Sequence, residues 1–261
     1  MTDYRSTLVV VPARGGSKRI PNKNIKEIFG QPMIYWPLSE LSKLFTAENL
    51  LVSTDSEDII SAVESKGLKV PFKRPKSLSD EYTGIAEVLR HALEWYEKNV
   101  RKVRFVIAVY PTAVMLDKND IRAAMETLKK DERCDYIMSA TNFSFPIQRA
   151  VFENENGYAE MFEPKNYPVR SQDLVEAKHD AGQFSLFRAK NIRNSKLLTD
   201  SQVKLHILDR TKVIDIDTLE DFKIAEEKLR IYKTERIDNS WRFQKKIKSE
   251  LNNNQKRTKK I

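Results

Sequence analysis

The chain has 261 residues, 40% of them hydrophobic, enough for one sizeable core. Its single cysteine excludes an intrachain disulfide and fits a reducing compartment, so a cytoplasmic protein is expected; with three histidines it argues against a zinc site. The net charge of +9 does not mark a nucleic-acid binder, because the residues from Lys228 onward hold 12 Lys and Arg against 3 Asp and Glu, the whole of the excess.

No apolar run approaches the ~20 residues of a membrane-spanning helix, so no stable membrane insertion is expected. The N-terminal run Thr7–Val11 is short and leads into a charged loop, which reads as a strand and not a signal peptide. Its β-branched and aliphatic residues predict a strand buried on both faces, the central kind in a parallel sheet. The strand stops at Pro12. The loop that follows carries Gly15-Gly16 and four cations, Arg14, Lys18, Arg19 and Lys23. Adjacent glycines let the backbone approach a ligand, and the cations suit a polyphosphate. Ligands of open α/β sheets bind outside the carboxyl ends of the strands, where this loop lies. The same composition also occurs in solvated turns. Neither a Walker A loop nor a dinucleotide fingerprint is present.

From Ile25 the pattern predicts a short extended piece, a turn at Gly30, and a helix with Pro32 near its start that runs to about Phe45. A second strand, Asn49–Thr54, ends at Asp55. Helix Asp58–Lys66 is closed by Gly67, and a third strand follows at Lys69–Phe72. A polar loop leads to an amphipathic helix, Ile85–Asn99, and a fourth buried strand, Val103–Val109, ending in Tyr110-Pro-Thr-Ala. Helix Lys118–Lys130 and strand Asp135–Ala140 come next, with Cys134 as buried filler before the strand. This alternation with short connections predicts an α/β fold, a doubly wound and mostly parallel sheet with right-handed crossovers.

The pattern weakens over 142–180, where Pro146, Pro164, Pro168 and aromatics replace helical periods. This stretch reads as a small lobe, since long irregular segments are usually functional. Strand Gly182–Phe187, a helical turn Ala189–Asn194, and strands Lys204–Leu208 and Val213–Asp217 restore the order. Thr218 caps a last helix, Leu219–Ile231. Residues 1–231 thus read as a single domain. Residues 232–261 read as a basic tail, helical to about Leu251 and disordered beyond.

The second informative motif is Asp215-Ile-Asp217. On a strand, residues i and i+2 share a face, so both carboxylates project together and repel unless a cation lies between them. Magnesium suits such a pair, because it takes one or two carboxylates together with phosphate oxygens. The alternative is a pair of exposed strand-end acids, one serving as a helix cap. A metal pair and a cationic loop together are the two halves of a nucleotidyl-transfer site.

Val11-Pro-Ala-Arg-Gly-Gly-Ser-Lys-Arg-Ile-Pro-Asn-Lys-Asn24 resembles the opening motif of the cytidylyltransferases acting on acidic sugars, the CMP-sialic acid synthetase group. Val52-Ser-Thr-Asp55, the Arg74-Pro loop, Tyr110-Pro-Thr112 and Asp215-Ile-Asp-Thr218 resemble it too, in register over about residues 7–230. Phe143–Ala150, Arg170–Asp173 and His179–Phe184 look like one branch, the pseudaminic acid cytidylyltransferases. The resemblance implies a Rossmann-like nucleotidyltransferase in which Ala13, Arg14, Gly15, Gly16, Ser17, Lys18, Lys23 and Asn24 hold the CTP phosphates. Lys18 would neutralise charge at the α-phosphate, with Arg14 and Asp217 beside it in the reaction. Arg74, Thr83 and Gly84 would position the cytidine, and Asp215 and Asp217 would hold magnesium. Tyr110, Thr112, Gln148, Arg149, Arg170, Gln172 and His179 would face the sugar acid. The lobe at 142–180 would mediate a homodimer. Tyr110-Pro-Thr-Ala-Val departs from the Gln-Pro-Thr-Ser-Pro usual in the sialic acid enzymes.

The expected reaction is transfer of CMP from CTP to a nonulosonic acid, pseudaminic acid first, with legionaminic, sialic or octulosonic acid as rivals. A rival of another class is a non-catalytic nucleotide- or nucleic-acid-binding protein, disfavoured by the metal pair. The basic tail reads as a solvated extension.

Overall fold

A computed structural model describes residues 4–193 and 201–231. The expected basic tail at 232–261, and Asn194 at the end of the expected helical turn, lie outside these residues.

β1 (Thr7–Pro12), β4 (Leu50–Ser53) and β5 (Phe105–Val109) form the parallel centre of the molecule, with β1 between the other two. The two-residue strands β2 (Glu27–Ile28) and β3 (Gln31–Pro32) make a small hairpin after the cationic loop. β6 (Tyr136–Asn142) and the edge strand β10 (Val203–Ile207) are parallel to each other. Between β5 and β6 lies β9 (Lys178–Arg188), antiparallel to both. The sheet order is β10-β6-β9-β5-β1-β4, and β7 (Val151–Glu153) pairs with β8 (Ala159–Met161) in a separate hairpin.

The sequence of β1 explains its central place. Val9 and Val11 pack on one face, with Leu38 and Leu41 of α1 (Tyr35–Leu41), Ile59 and Val63 of α2 (Glu57–Ser65), and Ile121, Met125 and Leu128 of α4 (Lys118–Lys130). Leu8 and Val10 pack on the other, with Leu89, Leu93 and Tyr96 of α3 (Ile85–Asn99) and Ile192 of α5 (Ala189–Arg193). A strand covered by helices on both faces needs apolar side chains along its length, which is what Leu8–Val11 supplies. A third cluster joins Ile20 of the cationic loop, Ile28, Met33 and Trp36, Met115, Ile216, and Phe222 and Leu229 of the final helix, residues 219–231.

Helices α3 and α4 run over the expected residues. Ser56 caps α2, its hydroxyl accepting from Ile59 N–H, and Gly67 ends that helix with φ 83°. Other elements differ. Pro32 belongs to the β2–β3 hairpin, whose turn uses positive φ at Phe29 and Gly30, and α1 starts three residues later. Lys69–Phe72 is not a strand. Pro71 offers no ladder N–H, and the segment passes outside the edge strand β4, where Arg74 N–H donates to Thr54 O (2.7 Å). Val213–Asp217 is not a strand either. Side chains replace the ladder: Lys228 Nζ donates to Val213 O (2.8 Å), and Lys23 Nζ to Ile216 O (2.8 Å). Finally, β9 begins at Lys178, four residues earlier than expected, and takes in His179.

Candidate active site

The cationic loop, residues 74–88 and residues 110–112 surround one cleft of about 880 Å³. The carboxyl ends of β1, β4 and β5 point toward it, as the geometry of an open sheet requires. Arg14, Ser17, Lys18, Arg19, Lys23 and Asn24 line it from the loop, Arg74 and Thr83 from the opposite rim, and Tyr110, Thr112 and Asp217 from the floor.

The loop is fixed at both ends. Ala13 N–H donates to Ser53 O (2.9 Å) and Gly15 N–H to Asp55 Oδ1 (2.9 Å). Gly15 has to be glycine, because a Cβ there would stand 2.8 Å from Ser56 Cβ. Gly16 has open space around it. Asn24 is buried and its amide donates to Arg14 O (2.9 Å), closing the loop on itself. Ile20 then anchors the loop in the third apolar cluster. Ile216 enters the same cluster from the far end of the sequence, and this brings the two motifs together. Lys23 Nζ lies 3.0 Å from Asp217 Oδ1, and Arg19 Nη2 lies 2.8 Å from Asp217 Oδ2.

The remaining loop cations face the opposite rim. Lys18 pairs with Glu81 (2.8 Å), and Arg14 Nη1 donates to Asp80 O (3.0 Å). Lys18 is 77% exposed, so this pair contributes little stability and can be exchanged for a ligand's phosphate oxygens. Asp80 builds the rim itself, its Oδ1 accepting from Tyr82 N–H, Thr83 N–H and the Thr83 hydroxyl. Gly84 caps α3 next to it.

Arg74 is the buried cation of the site. Burial lowers its guanidinium from the ordinary arginine value, and Asp55, 3.7 Å from Nη2, opposes that shift. Nε donates to Ser79 Oγ, while Nη2 is buried with no hydrogen-bond acceptor among the described residues. Such a donor is costly unless a ligand completes it.

Asp215 sits beside Gly182, which has φ 61°. Partial burial pushes its carboxyl up first, then the charge of Asp217; Lys23 and Arg19 offset this only in part. The Tyr110 phenol is pushed up by burial and by the charges of Asp180 and Asp215. Two repelling carboxylates beside a cleft for phosphates fit a hard divalent cation. Among the described residues no three Asp, Glu, His or Cys side chains form a cage, so substrate oxygens would have to complete the coordination.

A family model described as Cytidylyltransferase matches residues 8–247. The chain belongs to the cytidylyltransferase family. A pseudaminic acid cytidylyltransferase of Campylobacter jejuni (strain 81-176) is 36% identical over 84% of this chain and 94% of the relative. An N-acylneuraminate cytidylyltransferase of Escherichia coli is 23% identical over 84% of this chain and 51% of the relative. A solved CMP:2-keto-3-deoxy-manno-octonic acid synthetase complexed with CTP shares the fold at a TM-score of 0.62. It is 19% identical and covers 87% of this chain and 99% of that one.

In this cytidylyltransferase the residues expected at the sugar acid do not converge on the cleft, Tyr110 and Thr112 excepted. Gln148 Nε2 donates to Val175 O (2.7 Å), Arg149 to Val169 O, and Arg170 pairs with Asp173 (3.1 Å) and reaches the Gln172 amide oxygen. All of these bonds stay within the lobe. His179 packs against Phe143, ring centroids 4.8 Å apart, and its Nδ1 meets Asp180 O. The lobe leaves much apolar surface in the open, Phe145 at 82% and Val175 at 81% among it.

The structure adds residues to which sequence reasoning gave no role, Asp55, Asp80, Glu81 and Tyr82, and it turns Arg19, expected as a phosphate cation, toward Asp217. Asp55 had a usable signal, since it ends a buried strand as Pro12 does. The rim acids had none, because their function depends on facing the loop across space.

Proposed function

We propose that the protein transfers CMP from CTP to the anomeric hydroxyl of a nonulosonic acid, pseudaminic acid in the first place, in the reducing cytoplasm where Cys134 stays a thiol. The observation that carries this reading is the meeting of Arg14, Lys18 and Lys23 with Asp217 in one cleft at the strand ends. The relatives' activity on pseudaminic and N-acylneuraminic acids supports the sugar class.

Arg14, Lys18 and Lys23 bind the triphosphate, exchanging Glu81, Asp80 and Asp217 for phosphate oxygens. Gly15 and Gly16 admit the phosphates close to the backbone. Arg74, with its open Nη2 donor, and Thr83 orient the cytidine. Asp215 and Asp217 would hold a magnesium ion, whose bound charge offsets that of the triphosphate. The hydroxyl oxygen of the sugar bonds to the α-phosphorus as the bond to the bridging oxygen breaks. Pyrophosphate leaves with that electron pair, and the hydroxyl proton passes to solvent. Lys18 neutralises charge developing on the α-phosphoryl oxygens, so the chain contributes positioning and electrostatics, with no covalent intermediate. Residues 1–231 act as one domain. The exposed aromatics of the lobe support a homodimer in which Gln148, Arg149, Arg170, Gln172 and His179 face the sugar acid.

The test is a panel of nonulosonic acids with CTP and magnesium, with the CMP-sugar detected by mass. CMP-pseudaminic acid is the expected main product, and UTP is expected to be poorly used. Failure to form any CMP-sugar, or equal use of all triphosphates, would overturn the assignment.

A further inference from the structure

The carboxylate of Asp55 lies between two parts of the cleft that no single motif joins. On one side its Oδ1 accepts from Gly15 N–H at 2.9 Å, and the neighbouring Ser53 O accepts from Ala13 N–H. These bonds run the start of the cationic loop along the end of β4. On the other side, Thr54 O accepts from Arg74 N–H, and Asp55 Oδ1 stands 3.7 Å from Arg74 Nη2. The Arg74 side chain is 4% exposed, Ser79 Oγ is its hydrogen-bond acceptor at Nε, and Arg14 adds a like charge nearby. Asp55 is the acid that opposes both burial and that repulsion. Gly15 also lies directly against Ser56, which leaves the loop no room to move closer to the end of β4.

We infer that Asp55 is a positioning residue that sets the distance between the triphosphate loop and Arg74, and so makes base selection and phosphate placement one event. This rests on the cleft being the CTP site. A nucleotide bound there has its phosphates at the loop and its base at Arg74, with the ribose between. One carboxylate, hydrogen-bonded to the loop at Gly15 N–H and ion-paired with Arg74, fixes their spacing without contacting the nucleotide. Asp and Asn differ here in a useful way. An amide oxygen still accepts from Gly15 N–H, but the amide no longer offsets the charge of a buried guanidinium.

The experiment compares kcat and KM for CTP and UTP in the full-length wild type and in Asp55→Asn, Asp55→Ala, Arg74→Ala and the Asp55→Asn/Arg74→Ala double variant, with thermal melting of each. Asp55→Asn is expected to lower the preference for CTP over UTP about tenfold, mainly through KM for CTP, and to lower the melting temperature, because the buried guanidinium loses its counter-charge. Asp55→Ala is expected to lose kcat as well, because Gly15 N–H is then left without an acceptor. In the Arg74→Ala background Asp55→Asn is expected to change the preference no further. Wild-type preference in Asp55→Asn overturns the inference, and so does an additive effect in the double variant. If a variant melts too low to assay, its CTP and UTP affinities at low temperature give the same ratio. Wild type that binds no CTP sinks the reading of the cleft; normal CTP use with an unchanged preference in Asp55→Asn sinks only the role of Asp55.

Discussion

Arg14, Lys18 and Lys23 line the cleft beside Asp217, whereas Gln148, Arg149, Arg170 and Gln172 bond within their own lobe. The difference follows from what carries each set. The loop leaves a strand buried on both faces, is tied to β4 by backbone and carboxylate bonds, and re-enters the core at Ile20. Its geometry is complete within one chain. The lobe rests on the short β7–β8 hairpin, and large apolar side chains such as Phe145, Phe162 and Tyr167 stay in solvent. A patch of that kind marks an unfilled contact. The cationic cleft is built by one chain, while the proposed sugar site would need a second surface.

Four measurements sharpen or break this contrast, from the largest expected effect to the smallest. Asp217→Asn should cut pyrophosphate release by about a thousandfold or more, while the melting temperature changes little. Substantial remaining turnover would remove Asp217 from the reaction. Lys18→Ala should lower kcat about a hundredfold, consistent with a charge needed most in the transition state; an effect confined to KM would make it a uniform binding group.

The lobe calls for a different readout. Phe145→Asp should shift the protein toward monomer in light scattering and raise KM for the sugar acid about tenfold, with CTP affinity unchanged. A fully active monomer would end the view that the lobe completes the site.

The smallest effect concerns the segment that carries Asp215 and brings Asp217 to the cleft. Asp120 of α4 lies 3.2 Å from His206 Nε2 and 3.4 Å from Lys212 Nζ. Burial pushes its carboxyl up, but His206 and Lys212 outweigh this and hold it below the ordinary aspartate value. A depressed folded-state pKa adds stability above the unfolded-state value and loses it as pH falls through the folded one. Asp120→Asn should therefore cost about 1 kcal/mol at neutral pH, with the gap to wild type closing below about pH 4. A pH-independent gap in denaturant melts would show that only shape, not charge, matters there.

Where sequence reading fell short, the missing information was tertiary. Lys69–Phe72 and Val213–Asp217 have strand-like composition, but a strand needs a continuous ladder: beside the edge strand β4 Pro71 lacks the N–H for one, and along 213–217 lysine side chains take the carbonyls instead. The Asp-Ile-Asp motif still delivers its acid, because buried Ile216 and the bonds from Lys23 and Lys228 do what a ladder would have done. The antiparallel course of β9 was hidden for a similar reason: an apolar run specifies burial, not direction.

By itself the sequence determined the α/β alternation, the buried central strand, the cationic Gly-Gly loop and the paired acids, since periodicity and local chemistry are properties of neighbouring residues. Only the tertiary structure decided that Ile20 and Ile216 share one apolar cluster, that Lys23 and Arg19 meet Asp217, and that Asp55 stands between Gly15 and Arg74. Contacts between residues so far apart in the chain depend on how the sheet orders its strands, and no local pattern encodes that order.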